Sequence, residues 1–139
     1  MKAECSPQGA AAPASAALAE VTVVVCATCR DASGSDAQPR PGALLAAATR
    51  KAAGKEIRVR QVDCLGNCTR RLSAALLREG CWSYVFGGLS IADGPDLVVG
   101  ARLLAASADG LMPWRGRPDK LKRGLVARIP PLTALKDIS

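Results

Sequence analysis

Apolar residues along the chain fall into runs of two periods. Val21-Thr22-Val23-Val24-Val25 is continuous and mostly β-branched, which predicts a strand buried on both faces. Ile57-Arg58-Val59-Arg60-Gln61-Val62 alternates, which predicts a strand with one charged face. Leu72 to Arg78 and Trp82 to Phe86 predict two further strands, joined by a hairpin at Glu79-Gly80. Trp82, Tyr84 and Phe86 share one face of the last strand, expected to pack against the core or a helix. Helical spacing appears twice. Ala43 to Ala53 predicts a helix with Leu44, Leu45, Ala48 and Ala52 on its inner side and Gly54 as its stop. Asp93-Gly94-Pro95 opens a second helix, whose apolar stripe is Leu97, Ala101 and Leu104 and whose end precedes Gly110.

The rest of the chain has no clear period. Residues 1–19 are rich in Ala, Pro and Ser and read as a disordered tail. Arg30 to Gly42 reads as a loop. From Met112 onward Pro, Gly, Trp and Arg dominate, which predicts an irregular segment with one short helical turn around Lys120. Residues 132–139 form a C-terminal tail, leaving 20–131 as the folded domain.

The predicted order is β-α-β-β-β-α. The fold class is α/β: a thioredoxin-like layer architecture with a mixed four-stranded sheet. Its first βαβ is a right-handed parallel crossover and its last two strands form an antiparallel hairpin. One helix before and one after the hairpin allow both faces of the sheet to be covered. In open sheets with parallel strands, ligands gather at the carboxyl ends of those strands.

Composition narrows the picture. The 139 residues suit one domain, and only four are aromatic, so the core must be aliphatic. No run approaches the roughly 20 apolar residues of a membrane span. Glu4, Pro7, Gly9 and Pro13 interrupt any export-signal core, so a cytoplasmic location with reduced thiols is expected. The formal charge of +7 reads first as solvated surface and next as attraction to an acidic protein partner. Nucleic acid is disfavoured, because four aromatics leave no stacking platform beside the basic residues.

Six cysteines and no histidine decide the candidate chemistry. Zinc sites with histidine, Rieske-type clusters and histidine-based catalysis are all excluded. Cys26 and Cys29 end the first strand; Cys64 and Cys68 lie just beyond the second, in Asp63-Cys64-Leu65-Gly66-Asn67-Cys68. If the two strands are parallel neighbours, the pairs meet. Four thiolates there suit an Fe–S cluster or tetrahedral zinc, with Gly66 turning backbone N–H groups toward sulfur and Arg30, Arg70 and Arg71 offsetting the charge. Zinc ribbons usually repeat Cys-x-x-Cys, whereas the second pair has three intervening residues. A thiol–disulfide enzyme using Cys26 and Cys29 is a third reading. Against it, Pro39 and Pro41 delay the following helix, and the chain has no proline between Pro41 and Pro95 to face the dithiol. The plain alternative is that some of these cysteines are small buried apolar residues. Cys81 reads as an inert packed or edge thiol, or else a spare ligand, and Cys5 as a stray surface thiol. Trp114, beside Arg115 and Arg117, reads as a semi-exposed packing or partner-contact residue.

Beyond the cysteines, three segments are distinctive: Trp82-Ser83-Tyr84-Val85-Phe86-Gly87, Asp109 to Pro118, and Ala127-Arg128-Ile129-Pro130-Pro131. Together with the cysteine pairs they resemble a small bacterial family of metal-binding proteins of unknown function, related to the thioredoxin-like 2Fe-2S ferredoxins. The resemblance covers about Val21 to Pro131. It implies a thioredoxin-like fold, a four-cysteine site at Cys26, Cys29, Cys64 and Cys68, and a cobalamin or metal-handling context. It points to a non-enzymatic electron carrier or redox sensor. The first ligand pair of those ferredoxins is more widely spaced than Cys26 and Cys29, so mononuclear metal stays open.

Overall fold

A computed structural model describes residues 20–30, 38–55, 57–70 and 72–138, with Cys68 described by its backbone alone. The expected tail at 1–19 lies outside the described residues. Among them, five strands form one open mixed sheet in the order β2-β1-β3-β4-β5. The strands are β1 (Thr22–Cys26), β2 (Arg58–Val62), β3 (Ala74–Leu77), β4 (Ser83–Phe86) and β5 (Leu125–Ile129). The helices are α1 (Pro41–Ala53), α2 (Gly94–Ala105) and the short α3 (Asp119–Arg123). β1 runs parallel to β2, while β1–β3, β3–β4 and β4–β5 are antiparallel. The chain is therefore a mixed α/β fold. Among the described residues, no helix is long and apolar enough to cross a membrane.

The strand count corrects the expected four. Leu125–Ile129 was expected to be irregular, since prolines and glycines crowd the sequence before it and Pro130-Pro131 closes it. It forms a strand because β4 would otherwise be an edge with unsatisfied backbone groups. Ser83 pairs with Ile129 and Val85 with Ala127, with an irregularity between Val85 and Phe86. The helical turn expected at Lys120 is α3.

The position of the helices is a second correction. α1 and α2 pack against each other on one face of the sheet rather than on opposite faces. The strands record this in their alternation. Val23, Val25, Ala74, Leu76, Tyr84 and Phe86 are essentially inaccessible. Their alternates Thr22, Val24 and Val85 are half-buried, and Leu77 and Ile129 are exposed. β1, inside the sheet, thus has one face fully buried and the other half-buried, with Cys26 on that second face also buried.

α1 is also rotated relative to expectation. Its buried residues are Pro41, Gly42, Leu45, Ala46, Thr49 and Ala53, while Leu44 is exposed. Small residues permit this rotation. Gly94, at the start of α2, comes so close that an added Cβ would lie 2.8 Å from the Thr49 backbone nitrogen. The Thr49 hydroxyl spends its hydrogen bond on the Leu45 carbonyl at 2.7 Å, so its burial leaves no donor unsatisfied. On α2 the expected stripe Leu97, Ala101 and Leu104 is fully buried.

Two buried arginines fasten the chain ends of these elements. Arg78, after β3, donates to the carbonyls of Leu104 (2.8 Å) and Ser107 (3.0 Å), closing the C-terminus of α2. Burial lowers its pKa from the ordinary arginine value. Arg117 donates to the carbonyls of Met112 (2.6 Å) and Pro113 (3.2 Å), and its guanidinium lies over the Tyr84 ring at 5.7 Å. The Tyr84 hydroxyl accepts from the Met112 N–H at 2.8 Å. Tyr84 thus holds the C-terminal segment onto the sheet. Tyr84→Phe leaves the buried Met112 N–H without its acceptor. The expected cost is about 1–3 kcal/mol, read as a lower urea midpoint at unchanged m-value.

Candidate metal centre

The parallel register of β1 and β2 sets the site. Val24 is level with Arg60 and Cys26 with Val62. The ladder continues one step beyond, where the Ala27 N–H donates to the Val62 carbonyl at 2.8 Å. The Cys26–Cys29 turn and the loop opening at Asp63 therefore leave the sheet side by side, at the carboxyl ends of two adjacent parallel strands. The Asp63 carbonyl joins them: the Thr28 hydroxyl donates to it at 2.5 Å, and the Cys26 Sγ lies 3.6 Å away.

The four expected ligands differ in placement. Cys26 and Cys29 are buried together in one tight turn, with the Cys29 N–H directed at the Cys26 carbonyl at 3.3 Å. Cys64 is exposed on the neighbouring loop, where its Sγ accepts from the Gly66 N–H at 3.2 Å. Gly66 has φ of 75°, a conformation that costs glycine nothing. The backbone of Cys68 opens a 3₁₀ turn, Cys68–Arg70. Among the described side chains, no three metal-ligating groups converge; Cys26 and Cys29 form a pair, with Cys64 on the adjoining loop.

Several residues that build the site went unnoticed in the sequence. Asn67 donates through Nδ2 to the Ser73 hydroxyl at 3.0 Å, and the Ser73 carbonyl accepts the Cys26 N–H at 3.0 Å. One residue thereby links both cysteine segments. Gly87, just after β4, leaves room for this loop: an added Cβ would meet Asn67 Nδ2 at 2.5 Å and Arg70 Cβ at 2.9 Å. The Gly88 N–H then donates to the Arg70 carbonyl at 2.6 Å. Only the paired glycines after a strand hinted at such a close approach. Of the expected cations, Arg30 and Arg70 are exposed and Arg71 lies outside the described residues. Arg40, not anticipated, reaches the turn and donates to the Thr28 carbonyl at 3.2 Å.

The largest difference from expectation is the start of α1. It lies against the cysteine turn, where the Gly42 N–H donates to the Cys29 carbonyl at 3.0 Å. Pro41 has no N–H to satisfy, so the first available donor of the helix is spent on the cysteine turn. The positive end of the helix thus faces the site and favours negative charge there.

Cys81 is a further correction. It is buried at the turn between β3 and β4 and is disulfide-bonded, not an inert thiol. The register of β1 and β3 puts that turn near Thr22, at the opposite end of the sheet from Cys26, which removes Cys81 as a spare ligand.

Gly42 is the tightest point of the site. An added Cβ would stand 2.1 Å from the Cys26 carbonyl oxygen and 2.9 Å from that of Ala27. Both are backbone atoms, so either the helix or the turn must move. Gly42→Ala is expected to cost about 1–3 kcal/mol in urea unfolding and to speed the reaction of Cys26 and Cys29 with a thiol reagent.

No curated protein and no solved structure matches the chain. Residues 23–131 match DUF1636, a family described as proteins of unknown function. The match takes in both cysteine segments, the sheet and the basic C-terminal segment, and the chain belongs to the DUF1636 family.

Proposed function

We propose that this chain is a ferredoxin-like metal protein, not an enzyme, with Cys26, Cys29, Cys64 and Cys68 as ligands of a 2Fe-2S cluster. The observation that carries the reading is the register Cys26↔Val62, which sets the two cysteine segments beside each other at parallel strand ends. The first four strands have the order β2-β1-β3-β4 with β1 and β2 parallel, an arrangement that supports a thioredoxin-like fold.

The residues present fit such a group. With no histidine in the chain, the donor set is all sulfur, and the N–H of Gly66 already points at Cys64 Sγ. The buried pair would hold one side and the exposed loop could fold over the other. A bound cluster would supply one-electron transfer or redox sensing; the protein's part is to bury two ligands, direct N–H groups at sulfur and set positive charge nearby. An acidic redox-partner protein suits the net charge. The short first pair favours one further arrangement, a single zinc ion on the same four thiolates, as in a metal-trafficking protein. The helix start on Cys29 favours another, a Cys26–Cys29 dithiol oxidoreductase.

Anaerobic purification, visible absorption, and iron, zinc and acid-labile sulfide analysis separate these. The expected outcome is coloured protein with iron and sulfide in equal amounts. Cys64→Ser and Cys68→Ser should each lose the colour while Cys81→Ser keeps it. Colourless protein with one zinc moves the assignment to the mononuclear site. Metal-free protein with a reversible Cys26–Cys29 disulfide moves it to the dithiol. Metal content that survives both serine changes removes this site altogether.

A further inference from the structure

The cysteine site leaves one conspicuous surface unused. Trp114 is 60% exposed, in a molecule whose other aromatic rings are buried or half-buried. It is not loosely held. It opens a turn closed by the Arg117 N–H donating to the Trp114 carbonyl at 3.1 Å, and that turn is locked by the buried Arg117 guanidinium. The guanidinium of Arg117 stands 5.1 Å from the Trp114 ring centroid and the Lys122 ammonium 5.0 Å. A large aromatic ring held at the surface by two cations and still more than half exposed is what a preformed contact site requires.

The charge around it has one sign. Residues 114–128 carry Arg115, Arg117, Lys120, Lys122, Arg123 and Arg128 against the single acid Asp119, a balance of +5 out of the chain's +7. Arg123 is held by Asp119, and Lys120 pairs with Asp93 at 3.0 Å. Arg115, the next residue in the chain, is exposed, and Lys122 reaches over the ring. The Gly87 N–H donates to the Gly124 carbonyl at 2.8 Å, so this segment is tied to the end of β4 just before it enters β5.

We propose that Trp114, Arg115 and Lys122 form a docking surface for an acidic polypeptide segment. Carboxylates on the partner meet Arg115 and Lys122, and an apolar side chain covers the indole edge. A nucleic acid strand is the poorer fit. Its bases need an open aromatic face to stack on, and the Trp114 ring already carries cations over it. The proposal does not depend on what the cysteines bind.

The full-length protein tests it, with a labelled glutamate- and leucine-rich peptide of about 12 residues as the probe, at about 50 mM salt. Trp114→Ala should weaken peptide binding at least fivefold, and the pair Arg115→Glu with Lys122→Glu at least fivefold. Trp114→Phe should restore most of the affinity. The pair Arg58→Glu with Arg60→Glu removes equal charge from β2, at the other edge of the sheet, and should change binding less than twofold. Circular dichroism checks that each variant keeps its fold, and the charge pair decides the matter if Trp114→Ala does not. Any smaller separation between the two charge pairs means diffuse attraction and overturns the proposal. So does absence of peptide binding. Tighter binding of a single-stranded DNA of equal charge, with the same dependence on Trp114, also overturns it and assigns the surface to nucleic acid.

Discussion

Two parallel strands cannot be joined by a tight turn, so the pairing of β1 with β2 obliges the chain to travel the length of the sheet and back. That obligation shapes the molecule. α1 supplies the return path, and its start must sit near the end of β1. The same geometry delivers Cys26 and the Asp63 loop to one edge, because parallel strands end together. Antiparallel pairing of these strands would have sent the two cysteine segments to opposite ends. β3 then runs back from the loop, which is why Ser73 can accept from the Cys26 N–H while its hydroxyl receives Asn67.

The crowding at this edge explains the choice of small residues around it. Gly42, Gly66 and Gly87 each answer a different demand: backbone contact with Cys26, a left-handed turn, and room for Asn67. The Asn67–Ser73 hydrogen bond and the Cys26 N–H to the Ser73 carbonyl hold the loops. The nearby positive elements, Arg40 at the turn and the first turn of α1, are attached through backbone carbonyls.

Much of this arrangement was written in the apolar pattern, and the failures are informative. Val21 to Val25 and Ile57 to Val62 announced two strands whose ends carry cysteines, and that alone located the candidate site. α1 was misjudged in rotation because a helix of alanines offers little contrast between its faces. Gly42 and Thr49 face inward for reasons of closeness to Cys26 and Gly94, which hydropathy does not encode. β5 was missed because a strand at a sheet edge is defined as much by the free edge it joins as by its own sequence. Gly42, at the start of α1, stands well beyond Cys29 in the chain yet bonds to its carbonyl, so residue spacing alone suggested distance where the fold creates contact. Trp114 could be placed near the surface from its basic neighbours, but the turn that orders it needed the buried Arg117.

The late position of β5 has a consequence for how the protein is made. During synthesis β1 to β4 emerge well before Leu125–Ile129, so the free side of β4 stays bare until the last strand has left the ribosome. In that interval the nascent sheet presents Ser83 to Phe86 as a template for any passing strand. The tie between Tyr84 and Met112, which precedes β5 in the chain, shortens the loop the final strand must close.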